Sequence, residues 1–140
     1  MKIIIVGGGK IGATLIESLE GEGHDITFVD CDQKVVDEMN NIYDVMCVCG
    51  NAVDNDTLDE AQVSSADLLI AVTNSDEINM LICFIAKKMG AAYTVARVRN
   101  PEFNDKRMEQ VKQYLDISLT INPELLAASE IFNILKLPAA

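Results

Sequence analysis

A doubly wound α/β fold with a six-stranded, fully parallel sheet in the order 3-2-1-4-5-6 is what this 140-residue sequence predicts. Three observations lead there. Six short apolar runs alternate with helix-like stretches along the whole chain. The runs are rich in Ile, Val and Leu, the mark of strands buried on both faces beneath crossover helices. The first of them, Lys2-Ile-Ile-Ile-Val6, leads straight into glycines at G-x-G-x-x-G spacing, Gly7, Gly9 and Gly12. Right-handed crossovers, with the strand order reversing after the third strand, complete the topology.

Strands are expected near 2–6, 26–30, 45–49, 67–73, 93–98 and 117–121, and helices near 11–20, 33–40, 55–61, 76–89, 102–113 and 123–136. Local signals mark the boundaries. Gly21-Glu-Gly23 ends the first helix. Ser75 is an N-cap with Asp76 and Glu77 in the turn behind it, and Lys87 and Lys88 precede the stop at Gly90. Asn100-Pro101 and Asn122-Pro123 each join an N-cap to a proline at the first helical position.

Each glycine of the motif has its own task in a Rossmann-type turn. Gly7 permits the turn off the strand, Gly9 lets a pyrophosphate approach the backbone, and Gly12 brings the helix close to the sheet. With Gly8, Lys10 and Ile11 they form the loop and first helical turn, whose free N–H groups and positive dipole end suit phosphates. Lys10 adds a cation there, or is simply solvated. Asp30 ends the second strand, where a carboxylate accepts hydrogen bonds from ribose hydroxyls. It would repel a 2′-phosphate, and Cys31 and Asp32, not an arginine, come next. NAD(H) is therefore favoured over NADP(H), while ATP or ADP would fill the adenosine half of the same site.

The crevice of such a sheet lies at the carboxyl ends of strands one and four, which brings in three further segments. Gly50-Asn51-Ala52, after strand three, leaves room for a flat adenine beside Asp30. Thr73, Asn74 and Asp76 after strand four face the distal end of a dinucleotide, or serve only to cap the following helix. Arg97 and Arg99 share one face of strand five, and either one reaches a phosphate or both pair with surface carboxylates.

Composition narrows the function. Apolar residues make up 49%, enough for a core, and no apolar run approaches the ~18–20 residues of a membrane span. Met1-Lys2 leads directly into a strand with no signal-peptide pattern, so a cytoplasmic location is expected. A net charge of −11 disfavours nucleic acid and anionic lipid as partners. The cysteines, Cys31, Cys47, Cys49 and Cys83, match no zinc spacing, and no metal site is expected. Cys47 and Cys49 share a strand face and are expected to be buried thiols. Cys31 sits in the presumed ligand loop, with no resolving thiol expected nearby.

No catalytic constellation emerges. The lone histidine, His24, is expected in an exposed turn opposite the crevice, and no Tyr-x-x-x-Lys or nucleophile elbow is present. The alternative is the cofactor domain of an NAD-dependent dehydrogenase whose substrate domain lies elsewhere. Residues 1–120 read as the dinucleotide-binding unit and 121–140 as a terminal helix for subunit association. Leu125, Ala128, Phe132 and Leu135 form one apolar stripe of that helix. Leu126, Ile131 and Ile134 fall outside it, an excess that points to a homo-oligomer, a dimer through residues 123–137 or a larger ring.

Several segments together resemble the KTN, or RCK-type, N-terminal nucleotide-binding domain of the Trk-type potassium-uptake regulators (the TrkA family). They are Met1-Lys-Ile-Ile-Ile-Val-Gly-Gly-Gly-Lys-Ile-Gly12, Val29-Asp-Cys-Asp32, Gly50-Asn-Ala52, Ala66-Asp-Leu-Leu-Ile-Ala-Val-Thr-Asn74, Asn79-Met-Leu-Ile82 and Arg97-Val-Arg-Asn-Pro-Glu102. The resemblance implies a regulatory subunit without catalytic activity that binds NAD(H), or ATP or ADP in some relatives. It would control a membrane potassium transporter or channel from the cytoplasmic side, peripheral to the membrane through that partner. It implies that Gly7 to Gly12 hold the phosphates, Asp30 the ribose, and Gly50 to Ala52 the adenine. Thr73 and Asn74 would lie along the cofactor, and Arg97 would reach a phosphate or the neighbouring subunit's ligand. The terminal helix would cross to a neighbouring chain.

Overall fold

The computed structural model describes residues 1–122 together with Asn133 and Leu135. β1 (Lys2–Val6), β2 (Asp25–Asp30), β3 (Met46–Cys49), β4 (Leu68–Ala71), β5 (Tyr93–Arg97) and β6 (Leu119–Ile121) form one sheet in the order β3-β2-β1-β4-β5-β6. Every neighbouring pair is parallel, with Ile4 opposite both Thr27 and Leu69 at the centre. The predicted fold class and strand order are those observed.

Alternation along β1 divides the core. Ile3 and Ile5 join Leu15, Ile16 and Leu19 of α1 (Gly9–Leu19) and Met39 of α2 (Gln33–Ile42) on one face. Ile4 and Val6 join Leu58 of α3 (Asn55–Glu60) and Met80, Ile82, Cys83 and Ala86 of α4 (Asp76–Met89) on the other. With both faces of the sheet covered by helices, the strands must be apolar throughout, as their sequences are.

The helix ends explain where prediction and structure part. Ser75 caps α4, accepting from the Ile78 N–H at 3.2 Å, and Gly90 closes it at φ +120°. The predicted helix at 102–113 is instead a single 3-10 turn, Pro101–Asn104, followed by α5 (Lys106–Tyr114). Two caps divide it: Asn100 accepts from the Glu102 N–H, and Asp105 from the Arg107 N–H. The strand expected at 67–73 ends at Ala71, because Thr73 is captured by a side chain of α4.

Two burial expectations are corrected. Cys49 is exposed, as is Cys31, because it is the last residue of the edge strand β3, at the rim of the sheet. Cys47 is half-buried and only Cys83 is fully covered. His24 is not an open turn residue. Its imidazole is almost wholly covered, Nδ1 lying 3.4 Å from the Met1 amino nitrogen and Nε2 3.6 Å from Glu22. It does stand at the end of the sheet opposite the glycine turn. Of the predicted helix at 123–136, the described residues include Asn133 and Leu135, both helical, and Leu135 packs against the α1–α2 side of the core. The other apolar positions discussed there, Leu126, Ile131 and Ile134 among them, lie outside the described residues.

Phe28 is fully buried at the centre of β2 beneath α1, so Phe28→Ala should lower stability by about 3–5 kcal/mol in urea denaturation. Burial pushes the Cys83 thiol up to about 12. Cys83 should therefore resist Ellman's reagent in the native protein and react only on unfolding.

Candidate nucleotide-binding site

The site is built where β1 gives way to α1. Gly7 donates its N–H to the Val29 carbonyl at 2.7 Å, holding the turn against β2. Gly8 is the N-cap of α1 at φ +92°, and a Cβ there would lie 2.7 Å from both Val72 Cγ2 and the Val72 carbonyl. Only glycine meets both demands. Gly12 lies against the Gly7 carbonyl and the Phe28 ring, whereas the space above Gly9 is open. Gly12 thus sits where the helix comes close to the sheet, as expected of it.

Helix capping distinguishes α1 from the other four helices of the described residues. Side chains of Asp32, Asp54, Ser75 and Asp105 cap α2, α3, α4 and α5. α1 has no side-chain cap and no acidic residue in its first turn. Its leading amides are left to water or to an anion, with no carboxylate in that turn opposing one.

A crevice of about 350 Å³ opens over this turn. Gly7, Gly8, Asp30, Cys31, Gly50, Asn51, Ala52, Thr73 and Asn74 line it, nine of the predicted site residues drawn from the ends of four different strands. Gly50 lies so close to Thr57 that a Cβ would press into that side chain, at 2.9 Å from its Cγ2. A second, shallower cavity of about 520 Å³ adjoins the first at Asn74 and Ser75 and extends past Asp76, Glu77, Arg99 and Asn100.

Other predicted residues stand back from the crevice wall. Gly9 and Ile11 lie on α1 behind the turn, and the exposed Lys10 projects from the same stretch. Asp32 accepts from the Lys34 N–H as the α2 cap, while its own N–H donates to Asp30 Oδ1 at 2.9 Å. Asp76 accepts from the N–H groups of Arg99 and Asn100, at 3.1 and 2.9 Å, fastening the segment after β5 to the start of α4. Arg97 is 3% exposed, too buried for a surface ion pair. Its Nη1 donates to the Thr73 carbonyl, and Arg99 Nη2 to that of Asn74.

Asn79, which in the sequence carries only the family resemblance, has a structural role that sequence reasoning did not assign. Fully buried on α4, it accepts at Oδ1 from the Thr73 N–H at 2.8 Å and from the Thr73 hydroxyl at 2.6 Å. Its Nδ2 donates to the carbonyls of Thr73 at 3.1 Å and Arg97 at 2.9 Å. One side chain thus fixes the strand-four loop to the end of strand five. The available signal was a polar residue at a core-facing position of an otherwise apolar helix. Ser75, Ile78 and Ile82 also line the crevice, brought there by the same helix.

A parallel sheet of this order, with its crevice over a glycine-rich first βα turn, defines a Rossmann-type domain. The chain belongs to the TrkA-N domain family, whose model matches residues 3–123. It is 40% identical over its full length to the Trk system potassium uptake protein TrkA of Vibrio alginolyticus, of which it spans 31%. It is 33% identical over 99% of its length to a TrkA homologue from Methanothermobacter thermautotrophicus, of which it spans 62%. The chain therefore corresponds to between about one third and three fifths of these relatives. Among solved structures, the GsuK channel bound to NAD superposes on 86% of the chain with a TM-score of 0.73 at 22% identity, over 21% of the channel chain. The ADP-bound GsuK structure gives 0.72 at the same identity and coverage of this chain, over 30% of its own. Among the described residues, no helix is long and apolar enough to cross a membrane.

Asn79→Leu keeps the volume but removes four hydrogen bonds and strands the Thr73 N–H. It should cost about 2–4 kcal/mol in denaturant unfolding, well beyond a typical surface substitution.

Proposed function

We propose that this domain is the nucleotide-sensing regulatory unit of a potassium transport system and that it binds NAD(H). The observation that carries the reading is the bare N-terminus of α1, which opens onto a crevice with Asp30 in its wall. A diphosphate takes the first-turn amides, and Asp30 takes the ribose hydroxyls, one of its oxygens already steadied by the Asp32 N–H. Gly50, Asn51 and Ala52 flank the base. The adjoining cavity from Asn74 to Asn100 continues the crevice far enough to suit a dinucleotide better than a mononucleotide. Arg97 acts through the Thr73 loop. ADP and ATP occupy the adenosine half alone. The GsuK structures bound to NAD and to ADP support both ligand classes.

The relatives named for potassium uptake support a regulatory role rather than catalysis, with a membrane potassium transporter or channel as partner. Residues 1–120 act as the sensor, and the segment 121–140 is where copies associate at the cytoplasmic side of the membrane. Ligand-dependent change in that assembly carries the signal. A ligand moves such an equilibrium only by its differential affinity, a tenfold preference corresponding to ~1.4 kcal/mol.

Calorimetric titration with NADH, NAD, NADPH, ADP and ATP tests the ligand assignment. NADH should bind at least tenfold more tightly than NADPH, whose 2′-phosphate meets the Asp30 carboxylate. Asp30→Ala should weaken NADH by about 10- to 100-fold, the loss of a charged hydrogen-bond acceptor. A folded Asp30→Ala protein that binds NADH like the parent overturns the assignment. Light scattering with and without NADH checks the assembly.

A further inference from the structure

One side of the β3 backbone has no strand beside it. β3 ends the sheet, and β2 is its single strand neighbour among the described residues. The Gly50 N–H donates to the Asp30 carbonyl at 2.9 Å, so Gly50 turns its backbone toward β2. In a parallel ladder the N–H and C=O of one residue point to the same side, and successive residues alternate. Met46 and Val48 therefore bond inward, while Cys47 and Cys49, with Val45 just before the strand, turn their backbone groups outward. The Val45 carbonyl has the Cys47 thiol beside it, at a long 3.8 Å.

Edge strands are commonly guarded against pairing by charge, proline or a bulge. This edge has none of the three. Residues 45–53, Val-Met-Cys-Val-Cys-Gly-Asn-Ala-Val, hold no charged side chain and no proline, in a chain of net charge −11. The β2–β3 register runs unbroken from Thr27–Met46 to Asp30–Cys49. Exposed apolar surface flanks the edge on both faces. Met46, 46% exposed, shares the face of Val48, which packs with α3 and α4. Ile42, 68% exposed, ends α2 on the opposite face.

We propose that this edge is an interface between two copies of the chain, whose β3 strands pair antiparallel about a two-fold axis and join the two sheets into one. Only odd-numbered residues point outward, so a hydrogen-bonded pair must join odd to odd. The register that uses all three sets Cys47 opposite itself and Val45 opposite Cys49 of the second copy. It forms roughly six main-chain hydrogen bonds, two at each such pair. Met46 then stands across from Val48 of the second copy, apolar against apolar. Asp44 meets Gly50 of the second copy rather than a carboxylate. The two Asp44 residues lie about 20 Å apart along the strands, roughly two Debye lengths at physiological salt. A second copy suits the edge because the same three residues supply every donor and every acceptor. Pairing of β3 with β6 of another copy would leave a free edge at each end and extend without closing. The interface depends neither on the nucleotide reading nor on association through residues 121–140.

The test uses the full 140-residue chain from micromolar to millimolar concentration. Sedimentation velocity should show assemblies that double in mass as concentration rises. Amide hydrogen exchange followed by NMR should slow at Cys47 and Cys49 over the same range. Cys49→Pro removes an outward N–H and leaves the β2–β3 bonds intact, and Met46→Lys sets a charge opposite Val48 of the second copy. Each should weaken the association at least tenfold while the urea midpoint stays close to that of the parent. Should the proline variant fail to fold, Met46→Lys, at an exposed position, decides alone. Assemblies of unchanged strength in Met46→Lys overturn the pairing, as do Cys47 and Cys49 amides that exchange at one rate at every concentration, or growth into open filaments. Association through residues 121–140 alone is told apart, because it leaves those amides exchanging freely and is unmoved by Met46→Lys. That outcome overturns this interface and leaves the proposed function standing, whereas loss of nucleotide binding counts against the proposed function and not against the paired edge.

Discussion

Close approach between the first βα turn and the strand beside it is the constraint on which the rest of the structure depends. Gly7 packs against Thr73, Gly8 against Val72, and Gly12 against the Gly7 carbonyl and Phe28. Besides the backbone carbonyls of Gly7 and Val72, the glycines meet side chains of Val72 and Thr73, just after β4, and of Phe28 on β2. The glycines let α1 begin almost on top of the sheet, so that its axis points over the carboxyl ends of the strands. Any Cβ at Gly8 would lift the turn from Val72, and the crevice over it would lose its floor. The same closeness leaves no place for a capping side chain on α1, so the packing that builds the core also leaves an anion site open.

The two halves of the crevice are held by different means. At the β4–β5 side, Asn79, Asp76 and the two arginines fasten the loops with hydrogen bonds, several of them buried or partly so. The Thr73 carbonyl alone receives donors from Asn79 and Arg97. At the β2–β3 side, small residues leave space; the Gly50 N–H to Asp30 carbonyl bond joins the strand tips, and the side-chain bonds there include short-range turns of Asp30 to Asp32 and Asn51 to Val53. The second arrangement admits a base without cost to a network, but it also leaves two thiols uncovered. Acidic side chains divide between the halves in a similar way. Asp32, Asp54 and Asp76 accept from backbone N–H groups at helix starts or the segment after β5, whereas Asp30, which accepts from the Asp32 N–H at one oxygen, is the carboxylate in the crevice wall.

The strand order was legible because it follows from a few local facts: six buried-type strands, crossover spacing and the glycine turn. The caps at Ser75 and Asn100 were legible for the same reason, since capping acts over three residues. What the sequence concealed depends on contacts between distant segments. Asp105 restarts a helix that periodicity alone runs through from 102. Cys49 alternates correctly with Cys47, yet alternation assigns a face and says nothing of whether a helix reaches far enough to cover it. His24 looked like a turn residue until the chain start and Glu22 were folded over it. Among the site residues, those at strand tips were found because topology places them. Asn79 was named only within a resembling segment, and its role was not assigned because its partners, Thr73 and Arg97, lie on other parts of the chain.

These differences bear on how one fold can report on a ligand. A dinucleotide that spans from Asp30 to the Asn74 loop touches a loosely tied end and a firmly tied end at once. The firm end cannot yield without breaking the buried bonds of Asn79, so it acts as the fixed reference against which the ligand is aligned. In the proposed mode adjustment would fall to the β2–β3 tips, where β3 is the edge of the sheet among the described residues. In the binding mode proposed above, a change made by the ligand would enter at the base and ribose and be read against the frame of β4 and β5. In the same proposed mode, a nucleotide that fills only the adenosine half would engage the adjustable end without the reference, and so exert a different differential free energy on the domain. Two ligands can then act differently on one crevice without needing separate sites.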